Sequence, residues 1–91
     1  MPKIRIPTPL RAFTDGEASI DVAGSTVGEA LSSLVEQHPD LRAHLFNDAE
    51  LRSFVNIFLD DEDIRFMQGL DTEIAGDDSL RIIPSIAGGL D

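Results

Sequence analysis

The sequence contains no cysteine, tryptophan or tyrosine, and only two histidines. Without cysteine the chain forms no disulfide, no thiolate metal site and no cysteine nucleophile. His38 and His44 are separated by Pro39, and their spacing does not give the same-face arrangement of a helical metal-binding pair. No serine lies beside a recognisable base and no phosphate-binding glycine loop is present. We therefore expect neither a catalytic residue nor a metal or cofactor bound by this chain.

Basic residues and long hydrophobic runs are also scarce. Seven Lys and Arg against 17 Asp and Glu give a formal net charge of -10, which opposes binding to nucleic-acid phosphates or anionic lipids. The longest apolar run, FVNIFL at 54–59, is too short to cross a bilayer. The first residues, MPKIRIPTPLRAF, lack the apolar stretch of a signal peptide. We expect a cytoplasmic protein that binds other proteins and neither nucleic acid nor membrane.

The residues that are present suit a small globular protein. The 91 residues can enclose one modest core, and 42% hydrophobic with 26% charged residues is typical of a soluble chain. We expect residues 1–91 to form a single domain.

Alternating hydrophobicity and turn sequences predict five strands along the chain. The alternation at 3–6 returns at 19–22 after the turn sequence Thr14–Gly16, which predicts a hairpin with an Asp-Gly turn. The strongest strand is predicted at Phe54–Asp60, with Val55, Ile57 and Leu59 facing the core. The acidic residues that follow predict a turn into a short strand at Ile64–Phe66, and the last strand is predicted at Leu80–Pro84.

One main helix is predicted between these strands. Thr26 and Glu29 have the spacing of a capping box, and Pro39 ends the helical pattern. The apolar residues of the predicted helix share one face: Val27, Ala30, Leu31, Leu34 and Val35. A further brief helical turn is expected at 40–46. One helix on one face of a mixed sheet is an α+β layout of the ubiquitin-like type, although periodicity alone leaves other α+β folds open.

Three segments resemble the ThiS/MoaD family of ubiquitin-like sulfur carriers. They are FVNIFLDDEDIRF at 54–66, GLDTEIAGDDSLRIIPSIAGG at 69–89, and the pair Gly88–Gly89 itself. Within the family the first segment is most similar to the carriers of cysteine synthesis, and the likeness is weakest at 38–52. The resemblance implies a ubiquitin-like β-grasp fold: a mixed sheet, one main helix on one face, and a flexible Gly-Gly tail at 85–91.

The resemblance also implies a chemical role for the diglycine. The Gly89 carboxylate would be adenylated by a ThiF/MoeB-like activating enzyme, which uses ATP and Mg, and then converted to a thiocarboxylate. Sulfur would pass to an acceptor such as a cysteine synthase. Gly88 and Gly89 have no Cβ and suit entry into a narrow active site. Leu90 and Asp91 follow Gly89, so we expect a JAMM-type metallopeptidase to remove them first.

The outer face of the sheet is the predicted docking surface for these partners. Alternation places its members opposite the core-facing residues, beside Lys3 and Arg5. The residues predicted to bind partners are Phe54, Asn56, Phe58, Arg81 and Ile83. The alternative is that they are ordinary exposed residues without a function.

Two other functions stay open from the sequence. A ubiquitin-like modifier would use the same activated Gly89 but would end in an isopeptide bond to a lysine of another protein. Lys3 is the single lysine, so chains of this protein could grow only from Lys3 or the N-terminus. The other possibility is a binding module with an inert tail.

Overall fold

The structure is a computed structural model that describes residues 1–48, 50–53 and 55–84. Its strands are β1 (Lys3–Arg5), β2 (Ser19–Asp21), β3 (Phe46–Asn47), β4 (Glu50–Leu51), β5 (Val55–Leu59), β6 (Glu62–Asp63) and β7 (Ser79–Pro84). Its α-helices are α1 (Val27–Gln37) and α2 (Arg42–Leu45). Short 3-10 helices cover Thr8–Phe13, Pro39–Leu41, Ile64–Phe66 and Gly69–Asp71.

Five strands form one mixed sheet in the order β2-β1-β7-β5-β6. β1 and β7 are parallel, whereas the other neighbouring strands of this sheet are antiparallel. The last strand therefore lies in the middle of the sheet, between β1 and β5. β3 and β4 form a separate two-stranded ribbon.

The predicted core faces of the helix and strands are buried. All five residues of the predicted α1 face belong to the core, and so do the three inward residues of β5. Leu80 and Ile82 of β7 and Ile4 of β1 complete the inner face of the sheet. The helix packs on this face, because amphipathic elements must bury their apolar sides against one another.

The first turn of α1 is held from two directions. The Thr26 hydroxyl accepts from the Glu29 N–H at 3.2 Å, as the capping box predicts. The Glu29 carboxylate, however, accepts from the Ser25 N–H at 2.8 Å and from the Ser25 hydroxyl at 3.0 Å. From the loop before β7, the Ile74 N–H donates to the Ser25 carbonyl at 3.0 Å, while the Val27 N–H donates to Thr72 at 2.9 Å. The helix start is thereby tied to the chain that leads into the last strand.

Two expectations about local structure need correction. The Asp-Gly turn is present, with φ values of 56° at Asp15 and 84° at Gly16, but it does not join the two strands directly. The 3-10 helix Thr8–Phe13 comes first, and a proline near its start has no N–H for strand pairing.

The predicted strand at Ile64–Phe66 is wrong, because this segment is a 3-10 helix. Asp63 caps it by accepting from the Arg65 N–H at 2.8 Å, and the strand lies earlier, at Glu62–Asp63.

Within residues 1–48, 50–53 and 55–84, no helix is long and apolar enough to cross a bilayer.

Candidate docking face and tail base

The structure brings four of the predicted docking residues together on the outer face of the sheet. Asn56 of β5 lies opposite Ile83 of β7, and Phe58 lies opposite Arg81. Side chains of directly opposite residues lie side by side on the same face. Asn56 and Phe58 are half-buried, whereas Arg81 is exposed and Ile83 is 38% exposed. Phe54 lies outside the described residues.

Arg81 and Phe58 form the centre of this docking face. The Arg81 guanidinium carbon lies 5.8 Å from the centroid of the Phe58 ring, within the range of a cation–π interaction. The same guanidinium donates to the Asp60 carbonyl at 3.4 Å and lies 3.6 Å from the Asp61 carboxylate. Because the Asp61 side chain is fully exposed, this ion pair contributes little to stability. An aromatic ring beside a cation is thus available to a partner.

Basic side chains extend the docking face toward β1. Arg5 lies opposite Arg81 in the register of β1 and β7, and both are exposed. Lys3 points outward at the other end of β1 and pairs with Asp21 at 3.7 Å. In a chain with a net charge of -10, the outer face of the sheet thus carries three of the seven basic side chains, beside the carboxylate of Asp21.

Arg65 belongs to this region, although it is not among the docking residues predicted from the sequence. Its Nη2 donates to the carbonyls of Ser53 at 3.1 Å and Val55 at 2.8 Å, and its Nη1 donates to Asn56 Oδ1. Asn56 Nδ2 in turn donates to the Ile83 carbonyl at 3.1 Å. The sequence predicted a strand at 64–66, and strand alternation does not predict that the Arg65 guanidinium contacts β5. The contacts of Arg65 were therefore not predicted.

Two apolar side chains after Arg65 are also exposed. Phe66 is 82% exposed and Met67 is 39% exposed. They contribute little to the core, and they are not among the docking residues predicted from the sequence.

The base of the tail adjoins the docking face. Pro84, the last residue of β7, lies opposite Val55, so the chain leaves the sheet beside Asn56 and Ile83. Gly88, Gly89, Leu90 and Asp91, which carry the predicted activation and processing sites, lie outside the described residues, as does the rest of 85–91. Five fully extended residues span at most about 17 Å, which is the greatest distance between Pro84 and Gly89.

Metal chemistry has no candidate site in the part of the chain that the structure describes. Among those residues, no three His, Cys, Asp or Glu side chains are grouped so that they could hold a metal ion.

Comparison with known families identifies the chain. Residues 4–89 match the model of the ThiS family, a match that covers the sheet from Ile4 onward and ends at Gly89. The chain belongs to the ThiS family. This membership confirms the resemblance to ThiS/MoaD proteins, and the ubiquitin-like β-grasp fold with its mixed sheet and helix is confirmed as well.

Individual relatives of this ThiS-family chain agree with the assignment. The sulfur carrier protein CysO of Mycobacterium tuberculosis is 40% identical over 89 residues, covering 94% of this chain and 96% of that protein. The crystal structure of the BexX/CysO complex of Amycolatopsis orientalis contains a chain with a TM-score of 0.90 and 38% identity, covering 98% of this chain and 100% of that one. Small archaeal modifier protein 1 of Haloferax volcanii is 36% identical over 72 residues, covering 77% of this chain and 78% of that protein.

Proposed function

We propose that this protein is a sulfur carrier that acts through the carboxylate of Gly89. The observation that carries the proposal is the family match, which runs from the first strand through the diglycine. The relative named a sulfur carrier protein, 40% identical over 94% of this chain, supports the same conclusion. The protein is then a co-substrate of other enzymes and not a catalyst itself.

The chemistry follows from the weakness of a free carboxylate as an acyl electrophile. In the proposed cycle the Gly89 carboxylate attacks the α-phosphorus of ATP and releases pyrophosphate, with ATP and Mg bound by a ThiF/MoeB-like activating enzyme. Hydrosulfide then attacks the acyl carbon and displaces AMP, leaving a thiocarboxylate. A cysteine synthase-type acceptor is favoured by the likeness of 54–66 to the carriers of cysteine synthesis.

Activation requires a free carboxylate at Gly89. In the sequence, the Gly89 carbonyl forms a peptide bond with Leu90, and an amide offers no oxygen nucleophile equivalent to a carboxylate. We therefore propose that a JAMM-type metallopeptidase cleaves after Gly89 and removes Leu90 and Asp91.

The docking face is the proposed contact surface for the activating enzyme. Phe58, Arg81 and Ile83 present aromatic, cationic and aliphatic groups beside the base of the tail. Phe54 and Asn56 complete the proposed surface. A partner bound there receives the tail directly, because Gly89 is within about 17 Å of Pro84.

A second function, protein modification through Gly89, is favoured by one observation. A relative of 36% identity is named a small archaeal modifier protein. Both functions require an activated Gly89, so they differ only in the product: a thiocarboxylate in one case and an isopeptide bond to a lysine in the other.

Adenylation tests the proposal. A chain ending at Gly89 and the chain ending at Asp91 are each incubated with the activating enzyme of the host and ATP, and exchange of labelled pyrophosphate into ATP is measured. We expect exchange with the first chain and background exchange with the second. Equal exchange with both chains would contradict cleavage before activation, and background exchange with both would contradict activation of Gly89.

A further inference from the structure

The Arg65 guanidinium occupies the edge of β5 beyond the end of β6. In the described residues, β6 pairs with β5 at Phe58 and Leu59, near one end of that strand. Toward the other end, the Arg65 guanidinium donates to the carbonyls of Ser53 and Val55, at 3.1 and 2.8 Å. Backbone carbonyls need hydrogen-bond partners, and an open strand edge is vulnerable to pairing with other chains. Arg65 therefore supplies donors that a longer β6 would otherwise provide.

Asn56 connects this guanidinium to the last strand. Its Oδ1 accepts from Arg65 Nη1, and its Nδ2 donates to the Ile83 carbonyl at 3.1 Å. The two ends of the amide are thus used in opposite senses, one as an acceptor and one as a donor. A carboxylate in the same place could accept from Arg65 but would have no hydrogen to donate to Ile83.

The Ile83 carbonyl lies one residue before the end of β7. The last residue, Pro84, lies opposite Val55 but has no N–H, and the Val55 N–H donates to the Arg52 carbonyl at 3.0 Å, so this last pair has no backbone hydrogen bond. Proline also restricts Ile83 to extended backbone conformations. The hydrogen bond from Asn56 is an additional attachment of β7 to β5 immediately before the chain leaves the sheet.

We propose that Arg65 and Asn56 are positioning residues that fix the direction in which the chain leaves β7. Their hydrogen bonds form a clamp from the Ser53 and Val55 carbonyls, through Arg65 and Asn56, to the Ile83 carbonyl. The proposal rests on the proposed activation of Gly89 and adds to it a means of presenting that residue. Gly89 is five residues beyond Pro84, so greater motion at Ile83 widens the range of positions that the reacting carboxylate can take, and small displacements of reacting groups slow catalysis strongly.

The clamp is tested first in the protein alone. We would measure backbone ¹⁵N relaxation of Ile82 and Ile83 in the full chain and in Asn56→Asp and Arg65→Gln. Arg42→Gln is the control for loss of charge, because Arg42 lies at the start of α2 and outside the clamp. Both clamp variants should lower the order parameter of the Ile83 amide, and the control should not. Unchanged order at Ile83 in a folded Asn56→Asp protein would overturn the proposal.

Asn56→Asp also distinguishes loss of the clamp from unfolding of the protein. Asp retains an acceptor for Arg65, and the bonds from Arg65 to Ser53 and Val55 do not involve position 56. In Asn56→Asp, we expect the guanidinium N–H signal of Arg65 to stay protected from exchange with water. In Arg65→Lys, we expect a lower order parameter at Ile83, although lysine keeps the positive charge. If the Ile83 order parameter in Arg65→Lys equalled that of the wild type, a positive charge at position 65 would be sufficient to order Ile83. That result would contradict the clamp.

A kinetic measurement separates positioning from docking. With chains ending at Gly89 and the activating enzyme of the host, Arg65→Gln should lower kcat for pyrophosphate exchange roughly tenfold while KM stays within about twofold. A raised KM with unchanged kcat would assign Arg65 to docking and contradict positioning. If the wild-type chain supports no exchange, the proposed function fails, while the relaxation measurement still decides whether the clamp orders Ile83.

Discussion

At the scale of single residues, the outer face of the sheet combines two kinds of side chain. Phe58 and Ile83 offer apolar surface, and Arg81 offers a cation that lies over the Phe58 ring. Asn56 differs from them, because both ends of its amide are engaged within the chain. Alternation along β5 and β7 was sufficient to predict that these four residues share a face. Their roles in binding stay predictions.

Phe58→Ala tests the docking face at its centre. Truncation removes the aromatic surface beside Arg81, and a central aromatic contact in an interface is commonly worth one to several kcal/mol. We expect KM for activation of a chain ending at Gly89 to rise about tenfold with little change in kcat. The measurement is pyrophosphate exchange at several concentrations of the carrier.

Phe66→Ala is the matched control for Phe58→Ala. Phe66 is also aromatic and is 82% exposed, but it lies in the 3-10 helix Ile64–Phe66 and not on β5 or β7. We expect it to leave KM unchanged. A large rise in KM for Phe66→Ala with none for Phe58→Ala would move the docking surface to the segment after β6.

At the scale of elements, hydrophobic periodicity predicted the helix and strands that bury one side against the core. The helix at 27–37 and the strands at 55–59 and 79–84 bury one side against the core, so their spacing is visible in the sequence. The 3-10 helices at 8–13 and 64–66 bury few side chains and have no such period. Their formation depends on prolines, on the Asp63 cap and on contacts from distant segments. Arg65 was missed for the same reason, because its partners Ser53 and Val55 are defined only by the fold.

The start of α1 gives a pH-dependent prediction. Hydrogen bonds from the Ser25 N–H and then from the Ser25 hydroxyl, with a smaller one involving the Thr26 backbone, hold the pKa of Glu29 below its usual value. A carboxyl group with a lowered pKa in the folded state stabilises the protein above its unfolded pKa, and this contribution disappears as the pH falls through the folded pKa. Wild type should therefore be more stable than Glu29→Gln at neutral pH, and the difference should vanish in acid.

Urea denaturation of both proteins from neutral to acidic pH measures this difference. Glutamine keeps an oxygen acceptor for Ser25, so the comparison isolates the charge of Glu29. A stability difference that stays constant across the whole pH range would contradict the proposed role of the ionised carboxylate.

At the scale of the whole molecule, the fold places the tail and the docking face together. β7 lies in the middle of the sheet, so the chain leaves between strands that carry outward aromatic and basic residues. The opposite face of the sheet is covered by α1, which closes the core. This arrangement suits a carrier, because one partner can hold the sheet while its active site receives Gly89.

The fold class was predictable because one helix and alternating strands indicated an α+β layout, and the resemblance of 54–66 and 69–89 to ThiS/MoaD proteins selected the β-grasp from the α+β folds that remained open. The acceptor of the sulfur was not predictable from these features. The reacting carboxylate of a carrier is a backbone group and carries no side chain that identifies the acceptor. The side chains that distinguish one acceptor from another lie on the partner as well as on this chain.

The most direct test of the carrier proposal is an intact mass spectrum of the protein after incubation with soluble extract of its host, ATP and a sulfide source. We predict loss of Leu90 and Asp91, followed by the mass change of exchanging one oxygen for one sulfur at Gly89. A reference carrier ending in Gly-Gly shows that the extract is active. If the reference is converted while this protein keeps Leu90 and Asp91 and gains no sulfur, or is joined to other proteins without forming a thiocarboxylate, the account is contradicted.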